Sequence, residues 1–194
     1  MSEQETSRVK LLAGLGNPGR QYLDNRHNAG WMVMDRVAEI RGVEGEQERY
    51  EALTVRSGNL LLMKPLTFMN RSGRAVEQAV GTERIGLENI LVAVDDVDLP
   101  LGSVRLRGSG SSGGHRGLKS VFERLGTDEV ARLRLGVGPC PPEMPTSDFV
   151  LSDFREHEMD ALDDMLERGA QAALCWARKG TQEAMNEYNY TAPS

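Results

Sequence analysis

The sequence has 194 residues, which is long enough for one domain with a substantial buried core. Its formal net charge of −6 argues against a general nucleic-acid-binding protein. No apolar run approaches the roughly 20 residues of a membrane span, and the polar start of the chain does not match a secretory signal peptide. Cys140 and Cys175 are far apart, so we expect free thiols in a reducing cytosol.

Hydrophobic spacing predicts strands and helices that alternate along the chain. The predicted strands are 9–16, two strands on either side of a turn at 57–59, 89–102, 103–107 and 130–138. The predicted helices are 28–42, 72–86, 115–126 and one or two helices over 156–188, with a break at Gly169 or Gly180. The strand at 89–102 is expected to run into an acidic turn that Pro100 ends.

These elements predict an α/β fold with a mixed β-sheet, helices on both faces and therefore three layers. We expect a single domain over residues 1–194, of which residues 1–7 form a disordered tail. The proline-rich segment 139–154 is expected to be a lid or a surface loop.

Charge is unevenly distributed along the chain. The stretch 143–194 carries eleven acids and four bases, whereas 103–134 carries seven bases and three acids. A compact basic patch of this kind suits a polyanion, although the count alone favours a solvated charged face.

Two glycine-rich stretches are similar to phosphate-binding motifs but do not match them. Gly14, Gly16 and Gly19 have the G-x-G-x-x-G spacing, but Pro18 interrupts the motif and no helix begins within it. We therefore attribute these glycines to a sharp turn after the strand. The stretch 108–120, GSGSSGGHRGLKS, lacks the second glycine of a P-loop and leaves two alternatives, an anion-binding loop or a flexible connector.

Other catalytic patterns are weak. Ser112 lies in a G-x-S-x-G spacing, but the loop is longer than a nucleophile elbow, so a serine hydrolase is improbable. The three histidines and two cysteines have no metal-ligand spacing, and we expect neither a metal nor a cofactor.

His27 and the acids that follow a buried strand are the remaining candidates for chemistry. One of Asp95, Asp96 and Asp98 is expected to orient the imidazole, so that its other nitrogen accepts a proton from water. The alternative is that His27 caps a helix and the acids solvate a turn. Asn70 likewise suits either a helix cap or a contact with a peptide backbone.

Five stretches in order resemble the bacterial peptidyl-tRNA hydrolase family: GLGNPGRQYLDNRHNAG, KPLTFMNRSG, VAVDDVDLPLG, SSGGHRGLKS and RLRLGVG. The resemblance implies a monomeric cytoplasmic enzyme that cleaves the ester between a peptide and the 3′ ribose of tRNA. It implies that His27 is the catalytic base and that Asp95 orients it. The residues it implies for substrate binding are Asn17, Tyr22, Phe68 and Asn70, and those for a tRNA phosphate clamp are Arg107 and Arg134.

One position departs from the family pattern. Arg116 stands where the family commonly has asparagine, and arginine donates hydrogen bonds without accepting them. From its donors and its permanent charge, we expect Arg116 to bind a substrate carbonyl or a phosphate instead. A non-catalytic RNA-binding relative of the same fold is the alternative, although both His27 and Asp95 are present.

Overall fold

The computed structural model describes residues 8–193, and the expected tail at 1–7 lies outside them. Seven strands form one sheet: β1 (Lys10–Gly14), β2 (Gln47–Arg49), β3 (Ala52–Ser57), β4 (Leu60–Pro65), β5 (Ile90–Pro100), β6 (Val104–Arg107) and β7 (Ala131–Gly138). The order across the sheet is β2-β3-β4-β1-β5-β7-β6.

The centre of the sheet is parallel and its two edges are antiparallel. Strands β4, β1, β5 and β7 run in the same direction. Strands β2 and β3 are added to β4 through hairpins, and β6 pairs antiparallel with β7 after the connection through α3. The predicted mixed sheet is confirmed. Because four parallel strands end at one edge, the loops that follow them converge there, which is the usual place for a ligand site in such a sheet.

Helices cover both faces of the sheet, as predicted. The α-helices are α1 (Ala29–Arg41), α2 (Ser72–Glu83), α3 (Arg116–Leu125), α4 (Thr146–Val150), α5 (Met159–Lys179) and α6 (Thr181–Tyr188). Side chains alternate between the faces along each strand. Leu12 of β1 packs into the cluster with α1, α5 and α6, whereas Leu11 and Ala13 pack into the cluster with α2 and α3.

Three elements differ from the expectation. Strand β5 continues through the acidic residues to Pro100, with irregular pairing after Asp96, so the predicted acidic turn is part of the strand. Strand β2 was not predicted because its three residues are all exposed and polar. The proline-rich segment contains the short helix α4 rather than a loop alone.

The C-terminal helices break at Gly180, one of the two predicted positions. Gly180 has a positive φ of 88° and separates α5 from α6. Gly169 instead lies buried inside α5, where a Cβ would come within 3.0 Å of Leu135 and 3.3 Å of Val33. Among the described residues, no helix is both long and apolar enough to span a membrane.

Candidate active site

A cavity of about 690 Å³ opens where the parallel strands end. Its walls come from the loop after β1, the turn before α2, the acidic part of β5, the glycine-serine loop 108–115 and helix α4. Seven of the nine residues that sequence analysis assigned to the site line this cavity: Asn17, His27, Phe68, Asn70, Asp95, Arg116 and Arg134.

Two histidines share one carboxylate oxygen at the base of the cavity. His27 Nδ1 lies 2.8 Å from Asp95 Oδ1, and His115 Nε2 lies 2.9 Å from the same oxygen. The Asp95 side chain is 3% exposed and that of His27 is 13% exposed. The buried carboxylate therefore sits behind two partly accessible imidazoles.

The backbone fixes which nitrogen of His115 carries the proton. The amide of Leu118, in the first turn of α3, donates to His115 Nδ1 at 3.2 Å. That nitrogen must be an acceptor, so in the neutral ring the proton is on Nε2 and is donated to Asp95. His27 donates from Nδ1 to the same carboxylate, which leaves its Nε2 as a free base.

Asp95 is held in its ionised form. Burial alone would raise the pKa of Asp95, but the electrostatic attraction and hydrogen bonds of the His115 and His27 N–H groups outweigh burial and hold that pKa well below its usual range. An anion at this position favours positive charge on the neighbouring imidazole, as a general base requires when it takes a proton.

The same three side chains also have the spacing of a metal site. Their ligand atoms lie within 4.8 Å of one another. However, a cation on His115 Nε2 needs that nitrogen unprotonated, and the proton would then move to Nδ1, where the Leu118 amide already donates. The hydrogen-bonding pattern therefore favours proton transfer over metal binding by this cluster.

Asn28 fixes the loop that follows β1. Its side chain accepts from the amide of Asn17 at 2.9 Å and donates to the carbonyl of Asn17 at 3.0 Å. The Asn17 Oδ1 in turn accepts from the amide of Met69 at 2.9 Å. Because its oxygen is engaged there, Asn17 can present its Nδ2 donors to the cavity that it lines.

The glycines of the opening stretch allow close packing rather than phosphate binding. A Cβ on Gly14 would lie 2.1 Å from the carbonyl oxygen of Gly30, at the start of α1. A Cβ on Gly16 would lie 2.6 Å from the ring of Trp31. These contacts bring α1, and the turn before it that carries His27, against β1.

Of the three acids on β5, only Asp95 contacts His27. Asp96 is buried and pairs with Arg134, whose Nε lies 2.8 Å from Asp96 Oδ2. Burial raises the pKa of Asp96, and the backbone amide of Asp98 and the charge of Arg134 partly offset this. Asp98 itself is exposed at the rim of the cavity.

Four arginines form a ladder on the antiparallel strands β6 and β7. Arg105 is paired in register with Arg134, and Arg107 with Arg132. Their neighbours in each strand, such as Leu106 and Leu133, face α5 and α6, so the arginines lie on the α2–α3 face.

Arg132 is the buried member of the arginine ladder and supports the glycine-serine loop. It donates to the carbonyls of Gly110 at 2.7 Å and Asp128 at 2.8 Å. Its guanidinium also stacks on Phe122 of α3 at 4.8 Å. Burial lowers the pKa of Arg132. The loop that carries His115 is thus anchored to β7.

Comparison with known proteins identifies the family. The family model described as peptidyl-tRNA hydrolase matches residues 11–194. This chain belongs to the peptidyl-tRNA hydrolase family. A peptidyl-tRNA hydrolase of Syntrophomonas wolfei is 43% identical over 185 residues, covering 93% of this chain and all of that protein. One from Symbiobacterium thermophilum is 46% identical over 187 residues, covering 93% of this chain and 99% of that protein.

A solved structure of the family agrees with the fold. The crystal structure of peptidyl-tRNA hydrolase from Acinetobacter baumannii superposes with a TM-score of 0.87 at 29% identity. The superposition covers 97% of this chain and 98% of that one. The three-layer α/β architecture is therefore that of a peptidyl-tRNA hydrolase.

Two of the site residues that the family resemblance implied lie outside the cavity lining. Tyr22 is half-buried in the turn that follows Gly19. Arg107 is exposed at the end of β6. Arg116, at the first position of α3, is exposed and lines the cavity.

Three residues that were not predicted from the sequence each contact a predicted site residue: His115, Asn28 and Met69. His115 directly follows two glycines and precedes a helix, which is the only sequence signal for it. The alternative role of His27 as a helix cap fails, since its side chain bonds to Asp95 and α1 begins after Asn28. Asn70 likewise makes no cap, because α2 begins after Arg71.

The serine-hydrolase alternative cannot use the nearby His115 as its base. Both ring nitrogens of His115 are engaged, one by Asp95 and the other by the Leu118 amide. The loop from 108 to 115 also has no tight strand-to-helix turn, which a nucleophile elbow requires.

Proposed function

We propose that this protein hydrolyses the ester between the peptide and the 3′ ribose of peptidyl-tRNA, with His27 as general base. The observation that carries the proposal is the bond from His27 Nδ1 to the buried Asp95, which leaves His27 Nε2 available to water in the cavity. Family membership supplies the substrate class.

In the proposed reaction, His27 Nε2 takes a proton from water as the oxygen attacks the ester carbonyl. The imidazolium that forms is stabilised by Asp95, and its proton then passes to the departing ribose oxygen. General-base assistance of this kind contributes roughly 10²- to 10⁴-fold to the rate. The chemistry needs no metal and no covalent intermediate.

We propose the amide groups around the cavity as the donors for the substrate. Asn17 and Asn70 offer N–H groups for the peptide backbone and for the oxyanion that develops on the carbonyl, where one donor is worth about 10²- to 10³-fold. Asn17 also selects substrates whose amino group is blocked. Phe68 is 58% exposed and offers an apolar face to the peptide or the terminal adenosine.

Arg116 is proposed to contact a phosphate of the tRNA 3′ end or the substrate carbonyl. Its exposed guanidinium lies at the cavity wall and at the amino end of α3, where the helix dipole also favours an anion. Tyr22 is proposed to contact the substrate from outside the cavity lining.

Arg107 and Arg134 are proposed to clamp the phosphate backbone of the tRNA. Both belong to the arginine ladder, in which like charges stand opposite each other and repel. A polyanion relieves this repulsion. We also propose that the protein acts as a monomer in the cytoplasm, where translation takes place.

Replacing His27 with alanine tests the proposed function. We expect the H27A variant to release peptide from N-acetyl-aminoacyl-tRNA at least about 10²-fold more slowly than the unaltered protein. Its thermal unfolding and its affinity for tRNA should stay close to those of the unaltered protein. A chelator in the assay buffer should leave the rate of the unaltered protein unchanged.

The matched control is His157→Ala, which removes an exposed histidine before α5. That variant should retain normal turnover. Near-normal turnover in H27A would refute the assignment of the base. If the unaltered protein binds tRNA without releasing peptide, the non-catalytic alternative is correct instead.

A further inference from the structure

Arg26, the residue before His27, is a buried cation with an unusual set of contacts. It is 3% exposed, and its guanidinium lies between the rings of Phe149 and Phe154, at 4.6 and 4.7 Å. Its Nη2 donates to Glu158 Oε2 at 2.6 Å. Burying a cation costs several kcal/mol unless its donors are well paired, and Nε of Arg26 has no partner among residues 8–193.

The Arg26 side chain joins the two ends of one chain segment. Besides Glu158, it donates through Nη1 to the carbonyl of Val137, at the end of β7, at 3.2 Å. The segment between Val137 and Glu158 contains α4, which supplies Thr146, Ser147 and Val150 to the cavity wall. One guanidinium thus holds both ends of the segment that forms this wall.

The backbone next to Arg26 is tied to the same segment. The Arg26 amide donates to the carbonyl of Ser152 at 3.1 Å. The side chain of Asn25 donates to Asp153 Oδ1 at 2.6 Å. The turn that carries His27 and the segment that carries α4 are therefore joined by side-chain and main-chain bonds.

An apolar side chain would fill the space between two phenylalanine rings without the cost of burying a charge. Arginine adds three interactions that an apolar residue lacks: a planar stack, a hydrogen bond to a carboxylate and a hydrogen bond to a carbonyl. These interactions fix the distances and angles between the elements they join. The wall of a catalytic site needs such fixed geometry, whereas stability alone does not.

We propose that Arg26 is a positioning residue that fixes helix α4 relative to His27. This inference rests on the proposed function, in which His27 is the base. By holding Val137 and Glu158 together, Arg26 keeps the wall that contains Thr146 and Val150 at a set distance from the imidazole. The wall confines the acyl group so that its carbonyl lies within reach of the water on His27 Nε2.

The test compares Arg26→Met with Arg36→Met. Arg36 also joins distant elements, because it links α1 to Asp163 and Glu167 of α5, but it does not line the cavity. With N-acetyl-aminoacyl-tRNA at 25 °C, we expect R26M to lower kcat at least 10-fold and to change KM less than 2-fold. R36M should lower the melting temperature and leave kcat within 2-fold.

Hydrogen exchange supplies a second measurement, which separates a local loosening of α4 from a general loss of stability. Amides 146–151 should exchange faster in R26M than in R36M when the two are compared at equal distance below their melting temperatures. If R26M does not fold, Arg26→Lys and Glu158→Gln replace it. Each keeps part of the linkage, and each should lower kcat by an intermediate factor of about 3 to 10.

Several outcomes would overturn the proposal. It fails if R26M, or both milder variants, keep kcat within 2-fold while H27A is inactive, or if only KM rises. Full activity in H27A would overturn the proposed function itself, whatever R26M does. The two failures are therefore distinguishable within one set of assays.

Discussion

One oxygen atom organises the histidines of this cavity. Asp95 Oδ1 accepts from His27 and from His115, and the Leu118 amide sets the tautomer of His115. His115 therefore acts on the base indirectly, by holding the carboxylate that orients it. Both the position and the charge of Asp95 matter for the proposed reaction.

Replacing Asp95 with asparagine separates charge from position. The amide keeps the size of the side chain and an oxygen acceptor, but the negative charge behind His27 is lost. We expect kcat/KM to fall about 10²-fold, because the imidazolium formed in the reaction is no longer stabilised.

Asp98→Asn is the control for that experiment, because Asp98 lies on the same strand and at the same cavity but is exposed. It should change kcat/KM by less than about 3-fold. If D95N also kept kcat/KM within about 3-fold of the unaltered protein, the carboxylate charge would not act on the base.

The sequence allowed His27 and an acid on β5 to be paired, because both follow buried strands that end at one edge. It did not allow Asp95 to be chosen over Asp96 and Asp98 from the residues alone. That choice depends on which side chains of β5 point toward His27 after Val94, and there the sequence predicted a turn instead of a strand. His115 was missed because its role depends on a backbone amide three residues later.

At the scale of elements, the parallel helices α2 and α3 position residues that line the cavity. Gly73 of α2 lies against Ser120 of α3, and Glu77 pairs with Arg124 one turn further along both helices. The residues just before these helices include Asn70 and His115, so the packing of the two helices sets the distance between two walls of the cavity.

Gly73→Ala tests how tightly α2 and α3 must pack. A Cβ at Gly73 would lie 2.1 Å from the carbonyl oxygen of Ser120, so the helices must move apart. We expect the variant to lose about 1–3 kcal/mol of unfolding free energy in urea denaturation. Gly81→Ala on the same helix has nothing within 4 Å of its Cβ and should gain up to about 1 kcal/mol. Equal stability of the two variants would contradict the role of the close contact.

Most elements were predictable because their hydrophobic period was long and regular. The strand 130–138 and the helix 115–126 fall within one residue of their observed bounds. Strand β2 has no hydrophobic period because its three residues are exposed. The acidic part of β5 was predicted as a turn because consecutive acids are uncommon in a strand. The packing of α4 over the cavity depends on the contact of Arg26 with Phe149. These two residues are far apart in sequence, so a local pattern does not predict the contact.

At the scale of the whole molecule, the sheet separates opposite charges. The C-terminal part, 143–194, carries eleven acids and four bases, and several of its acids are exposed on α5 and α6. The arginine ladder of β6 and β7 lies on the opposite face, with α2 and α3. A protein of net charge −6 can therefore attract tRNA to one face and repel it from the other.

Salt dependence measures this separation directly. If Arg107 contacts a phosphate, R107A should weaken tRNA binding and reduce the slope of log affinity against log salt by about 1. Arg178→Ala is the control, because Arg178 is equally a surface arginine but lies on α5, on the acidic face. It should leave the slope unchanged, since no counterion is released there when tRNA binds. Equal slopes for R107A and the unaltered protein would place the tRNA backbone away from the end of β6, and an effect of R178A would place it on the acidic face.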